Sequence, residues 1–472
     1  MSNPKVSIII PAYNNAEYLG QTIQSVLDQT CPDFEVVVVD DASPDPIHEV
    51  IKRFEDSRIK YVTHEKNRGL SAARNTGIKV STGEVIALLD GDDLFHPKKL
   101  ETHLDFLHKH PDVGVTYNSR FELNHSAETI RDLWRPPLTC TLQDLIFGFP
   151  FSPSDMVIRR NWLFQVSLFD ENYTYVGEDL DINCRLALAG CRFASVDRAL
   201  NYRRYHSGRV IDVLSSVENT IRPLNSIFAD PRCPEEVRAL REKAIANHHL
   251  LWSAIALGQG DTAMGQQYAT AAVQRDPSIL GGQPSRLVET LIDYSIVDES
   301  RDNDQLLRNM VSQLPPEIAL SEEESDWAVA RGYLLRGARA MFWGRAHEGR
   351  EHFTRAQFMG AKIDRAFTGR LTSQLSHIRA EFGPRAAEEV LQTLLPHLKS
   401  IGNSSEARRL KGHYLINQAF EHHRNGQSAK VFGEVIRAIS YDPTYLANRG
   451  VLSMLVRSFI HPNGPATRPV GL

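Results

Sequence analysis

The chain has 472 residues, 42% hydrophobic and 24% charged, with a formal net charge of -5. This is the composition of a soluble globular protein of roughly three domains, too apolar for a disordered chain and too interrupted for a membrane bundle. The negative balance excludes an electrostatic wrap around a nucleic-acid polymer.

The first apolar run, residues 6–10, closes at Pro11. It is too short for a signal peptide and reads as a strand. No later run approaches the roughly 20 apolar residues of a membrane span, so no transmembrane segment is expected. The five cysteines, Cys31, Cys140, Cys184, Cys191 and Cys233, include no CxxC pair. That gives no zinc or redox site and points to a reducing setting. A cytoplasmic location is expected, or a peripheral one at the cytoplasmic membrane face.

Strand and helix signals then alternate. Leu19, Ile23, Val26 and Leu27 recur at helical spacing, and residues 34–39 form a second β-branched run. Ser43 is a candidate N-cap for a helix carrying Ile47, Val50, Ile51 and Phe54. Residues 59–62 form a third strand, followed by a small-faced helix at Leu70, Ala73, Gly77 and Ile78. A fourth strand at 85–89, a helix at Leu100, Leu104 and Leu107, and a strand at 113–117 close the run. Strands alternating with helices predict an α/β fold with a mostly parallel, doubly covered sheet.

Residues 118–210 are less regular, with proline-rich turns and a helix after Glu178. Beyond about 212 the pattern is helical to about 460 and repeats itself. Gly260, Gly344 and Gly426 recur at nearly equal intervals, and Ala272, Ala356 and Ala438 hold the same offsets. Asp276-Pro277 and Asp442-Pro443 follow the first and third glycines. A helix, a glycine turn, a second helix packed through a small alanine and an Asp-Pro stop describe an all-α helical-hairpin repeat. It resembles tetratricopeptide-like repeats at about twice their period. The expected organisation is a catalytic domain at 1–215, a helical repeat domain at 216–460 and a flexible tail at 461–472. The repeats offer a surface for a protein partner or self-association.

Polar residues follow the strands, where parallel sheets bind ligands. Strand one leads into Tyr13-Asn14-Asn15, strand two into Asp40-Asp41 and strand four into Asp90-Gly91-Asp92-Asp93. Three carboxylates in four residues repel one another, and a hard divalent cation relieves that repulsion. The other reading is an acidic turn capping the next helix. Neither a GxGxxG nor a GxxxxGK[ST] phosphate loop is present, which argues against dehydrogenases and P-loop enzymes. His103, His108 and His110 lack a completing ligand set and read as packing or solvated residues.

The segments around Pro11–Asn14, Asp40–Ser43, Asn67–Asn75 and Leu88–Asp93, taken in order, resemble family 2 glycosyltransferases of the GT-A fold. The resemblance covers about residues 4–210. It implies an inverting enzyme that takes a sugar from a nucleotide-diphosphate sugar, UDP-linked, to a hydroxyl of a glycan, lipid-linked or protein acceptor. It implies nucleotide-sugar binding by Pro11, Tyr13, Asn14, Asp40, Asp41, Asn67, Gly69, Arg74, Asp90 and Gly91. Arg203 and Arg204 would neutralise phosphate. Asp92 and His206 would hold Mn²⁺ or Mg²⁺. The general base falls on Asp179, with Glu178 and Asp181 close enough to leave that assignment open. A different class of reading is a helical-repeat scaffold whose nucleotide-sugar-binding domain is inactive.

Overall fold

The computed structural model describes residues 4–124, 128–173, 176–205, 213–402, 404–424 and 427–460. His206, Gly426 and the tail at 461–472 lie outside them.

Four strands run parallel: β1 (Val6–Ala12), β2 (Phe34–Asp40), β3 (Ile59–Thr63) and β4 (Val85–Leu88). The remaining strands are β5 (Leu94–Phe95), β6 (Val113–Leu123), β7 (Ile130–Trp134), β8 (Thr139–Cys140), β9 (Met156–Arg159) and β10 (Arg192–Arg204). The sheet order is β3-β2-β1-β4-β9-β6-β10-β5, with β7 on β6 and β8 on β10. β9 is antiparallel to both β4 and β6, which returns β6 and β10 to the direction of the first four strands.

The sheet is therefore mostly parallel and mixed at one side. The segment expected to be irregular contains the strands that finish it. Within it β8 has two residues and β9 four, too short to read, and the 13-residue β10 pairs with β6 through register shifts.

The continuous apolar runs of β1 and β2 follow from burial on both faces. Ile8, Ile10, Val36 and Val38 pack beneath the helices Ala16–Leu27, Ile47–Ile51 and Lys99–Lys109. Ile9, Val37, Val39 and Leu88 point to the other face, with Ala73 and Ile78 of the helix Leu70–Val80. Ser43 does not cap the second helix. Its Oγ accepts from the backbone N–H groups of Asn14 and Asp45, and the helix begins after Pro46.

The chain forms two compact units: residues 1–297 with 305–320, and residues 298–304 with 321–472. The first unit runs on past 215, where strand signals end, because the sheet domain's core continues into the helices. Leu224, Ile227, Phe228, Cys233, Val237, Ala244 and Ile245 all join the cluster that covers one sheet face.

The residues of the expected repeat lie on helical hairpins. Ala272, Ala356 and Ala438 are fully buried in their helices. Asp276 accepts from the backbone and hydroxyl of Ser278, and Asp442 does the same with Thr444. The first hairpin, Arg241–Gln259 with Thr262–Arg275, belongs to the first unit. The hairpins built on Glu322–Phe342 with Ala346–Phe358, and Ser404–Arg424 with Ser428–Tyr441, belong to the second.

Candidate active site

Strand direction brings the candidate residues together. Ala12 pairs with Asp40 and Asp40 with Thr63, while Ile9 pairs with Leu88. The segments after β1, β2, β3 and β4 thus leave the sheet at one edge, and β10 ends there with Arg203 and Arg204.

Two of those segments hold non-glycine residues in the left-handed region, Asn14 at φ 53° and Ala42 at φ 54°. Such positions cost on the order of 1–3 kcal/mol and persist only where neighbours fix them. Here the neighbour is shared, because Ser43 Oγ takes the Asn14 N–H at 3.0 Å. Asp40 completes the corner, accepting from Ser43 N at 2.8 Å and Tyr61 OH at 2.7 Å. Asp41 is buried and anchors the next loop. It accepts from the backbone of Arg68 at 2.8 Å and Gly69 at 2.7 Å, and contacts His64 Nδ1 at 2.6 Å. Asn67 caps the same turn, accepting from Gly69 N. Pro11 is buried, whereas Tyr13, 43% exposed, and Asn14 face solvent beside this corner.

The acidic turn after β4 is tightly fitted. A Cβ on Gly91 would lie 2.2 Å from Asn15 Nδ2 and 3.0 Å from Pro11 O, so only glycine lets the two loops meet. Asp93 Oδ1 accepts from Arg204 N at 3.1 Å, and Arg204 Nε donates to the Asp92 carbonyl at 3.1 Å. Arg204 is buried and also donates to Gln21 at 2.7 Å. Arg203, one residue earlier, is half-buried opposite Glu122.

Arg74 lies inside the protein, 1% exposed. It donates to Asp90 at 2.7 Å and Glu178 at 2.8 Å. Burial alone would weaken its charge, but the two carboxylates raise its pKa further still. Arg74 therefore ties the turn after β4 to the helix Glu178–Leu188. Asn75 makes a second tie, bonding Phe169 through both amide groups and Glu171 through Nδ2 at 3.0 Å.

The three acids opening that helix now separate by partner. Glu178 faces Arg74, and Asp181 accepts from Arg185 Nε at 2.8 Å. Asp179 accepts the backbone N–H of Leu180, at 2.8 Å, and has no cation in ion-pair distance among the described residues. Burial and the neighbouring Glu178 charge push its pKa up from the ordinary carboxylate range. Gly177 sets this helix start with φ 93°, and a Cβ there would lie 2.2 Å from Asn219 O.

Sequence reasoning missed Tyr61 and His64 and gave no role to Asn75 and Glu171; all four immobilise the edge. It also missed a buried network on the neighbouring strands. Lys99 donates to Asn118 and Asp155 O, His103 bonds Thr116 and Asn118, and Arg120 pairs with Asp155. Burial takes the Lys99 pKa down to about 7.

Residues 7–171 match Glycosyl transferase family 2. An uncharacterized glycosyltransferase of Rickettsia bellii is 49% identical over 195 residues, 40% of this chain and 28% of the relative. The UDP-Glc:alpha-D-GlcNAc-diphosphoundecaprenol beta-1,3-glucosyltransferase WfgD of Escherichia coli is 37% identical over 127 residues, 27% of this chain and 50% of that protein. The chain thus spans half or less of the length of these relatives. The crystal structure of S. aureus TarS aligns over 66% of this chain and 53% of its own, at 20% identity and a TM-score of 0.44. The sheet with its converging acidic segments, together with the family match over residues 7–171, identifies this part of the chain as a family 2 glycosyltransferase domain.

Proposed function

We propose that the chain is an inverting, metal-dependent glycosyltransferase that moves a sugar from a UDP-linked donor to an acceptor hydroxyl. The observation that carries this reading is the isolation of Asp179. It is the one acid of its trio without a cation partner among the described residues, and it lies on the helix that Arg74 ties to the donor-side turn.

Asp179 takes the proton of the acceptor hydroxyl as that oxygen bonds to the anomeric carbon and the nucleoside diphosphate leaves. A carboxylate positioned this way contributes about 10²–10⁴-fold. Its raised pKa makes it a better base than an ordinary carboxylate. Tyr13 stands exposed where a base can stack on it. Asp40, Asp41, Asn67 and Gly69 hold the loops that shape this pocket. Arg74 acts through Asp90 and Glu178, fixing both rather than reaching phosphate itself.

Among the described residues no group of three or more His, Cys, Asp or Glu is arranged to hold a metal. One or two carboxylates with diphosphate oxygens suffice for Mg²⁺ or Mn²⁺. The oxygen donors of the turn at Asp90 and Asp92 fit that pattern, with Asp92 as the ligand and His206 outside the described residues. When bound, the ion offsets charge on the leaving diphosphate. The UDP-glucose in the name of the E. coli relative supports a UDP-linked donor.

Acceptor chemistry and any partner of the helical hairpins belong to this proposal too. A cytoplasmic site of action belongs to it as well; among the described residues no helix is long and apolar enough to cross a membrane. The test is thermal stabilisation of the chain by UDP plus Mn²⁺, followed by UDP-sugar hydrolysis. Stabilisation that disappears in Asp92→Ala supports the reading; no response to any nucleoside diphosphate sinks it.

A further inference from the structure

The turn after β4 is fastened at both ends, and both fastenings lead to one buried amine. At its start the Asp90 N–H donates to Ser154 Oγ at 3.1 Å. Ser154 is fully buried and stands next to Asp155, whose carbonyl accepts from Lys99 Nζ at 3.2 Å. At its end the turn runs into β5, where Phe95 pairs with Asn201 of β10. The Phe95 ring faces the same amine, with Nζ 4.8 Å from its centroid. Asn201 is tied in as well: its Oδ1 accepts from Asn118 Nδ2, and Asn118 Oδ1 accepts from Lys99. His103, one helical turn beyond Lys99, contacts Asn118 Oδ1 at 3.0 Å and Thr116 at 2.8 Å, which holds that amide in place.

Lys99 is fully buried and has no carboxylate in ion-pair distance among the described residues. The Asp155 carboxylate is already engaged, accepting from Arg120 at 2.9 Å and from the Ser152 N–H at 2.7 Å. The Lys99 nitrogen instead serves two uncharged oxygens and the face of an aromatic ring, which attracts a cation. Burying an ammonium without a paired carboxylate is costly, and an apolar side chain such as Met would fill the same space without that cost. What Met cannot do is reach the Asp155 carbonyl, the Asn118 amide and the Phe95 ring from one donor atom. Those three contacts are the ones that lead to the two ends of the acidic turn.

We propose that Lys99 is a positioning residue for the donor, holding the turn Asp90–Asp93 in the form that receives the nucleotide diphosphate. The inference rests on the glycosyltransferase reading. Lys99 makes no contact with the donor itself. It acts on Asp90 through Asp155 and Ser154, and on the far end of the turn through Phe95 and Asn201.

Positioning and packing differ in their kinetic trace. Loss of a positioning group weakens the donor complex and spares the chemical step once donor is saturating. Loss of packing lowers the folded fraction, which shows as a smaller kcat at unchanged KM. The experiment uses the full chain, as wild type, Lys99→Met and Ser154→Ala. The first removes the donor atom and keeps the stem; the second breaks the link at Asp90 and keeps the amine. UDP binding is measured by calorimetry with Mn²⁺ present, and hydrolysis is followed across concentrations of UDP-hexoses and UDP-N-acetylhexosamines. Both variants should bind UDP about tenfold more weakly and raise the donor KM to match, with kcat within about twofold of wild type. Unchanged UDP affinity and donor KM in Lys99→Met would overturn the assignment, as would a lower kcat at unchanged KM. Should Lys99→Met not fold, Ser154→Ala decides on the same two criteria. A wild type that neither binds UDP with Mn²⁺ nor hydrolyses any UDP-sugar would instead defeat the glycosyltransferase reading.

Discussion

Glu35 and Asp179 are both acids of the first unit, and their surroundings treat them in opposite ways. Glu35 lies at the start of β2, where Ser7, Lys60 and Thr82 converge on it. Burial would raise its pKa, but Lys60 and the hydrogen bonds of Thr82 and Ser7 pull it down to about 2. Asp179, beyond the opposite edge, receives only backbone N–H groups and no side-chain donor among the described residues, and is pushed up by burial and the Glu178 charge. A carboxylate surrounded by donors is a structural part, whereas one left short of them can exchange a proton. On the proposed mechanism the fold thus divides chemically similar residues into fasteners and reagents.

Arg74 is where that division can be broken most severely. Arg74→Met would leave Glu178 and Asp90 without their shared cation in a buried setting. Removing one side of such a pair costs about 3–5 kcal/mol. The expected result is a large fall in denaturation midpoint and loss of transfer together. A variant that folds normally would show that the two carboxylates do not need it.

Glu35→Ala strands the donors of Ser7, Lys60 and Thr82 and should cost about 1–3 kcal/mol at neutral pH. Because the folded pKa is depressed, this stability is present above the unfolded value of 4.5 and is lost as pH falls toward about 2. Denaturant titrations of wild type and variant should therefore converge in acid. A gap that persists there would contradict the assignment.

For Asp179 the sign reverses. Its folded pKa is raised, so ionisation works against the folded state as pH rises through that value. Asp179→Asn should melt above wild type at neutral pH, and the advantage should shrink in acid. The acid limb of wild-type transfer should lie above the ordinary carboxylate range, because the base must be ionised to act. An acid limb in the ordinary range would remove Asp179 from the role.

The smallest effect belongs to the helical unit. Asp442→Ala removes a cap worth about 1 kcal/mol. It should lower the melting temperature slightly and leave donor hydrolysis unaltered.

Much of this was legible because local patterns carry it. Continuous β-branched runs marked β1 and β2, and polar residues after them marked the edge. The start of the helix at Glu178 was legible too. What escaped depends on distant pairing: Glu178 is 104 residues from Arg74, and Glu171 is 96 from Asn75. No spacing rule connects them, so Arg74 read as a nucleotide-sugar ligand, and its buried ties to Asp90 and Glu178 went unread. The helical boundary near 215 marked the end of strand signals. The core ignores that boundary, because Phe228, Val237 and Ile245 bury against the sheet domain from beyond it. Ending the chain at 230 would remove Val237 and Ile245 and should leave an unfolded product.

The most direct measurement compares transfer by Asp179→Asn and Asp181→Asn, with UDP-sugar binding measured by calorimetry for both. Asp179→Asn should bind the donor as wild type does while transfer falls by about 10²–10⁴-fold. Asp181→Asn, which loses only its pairing with Arg185, should retain most turnover. Full transfer by Asp179→Asn at unchanged donor affinity would contradict the mechanism.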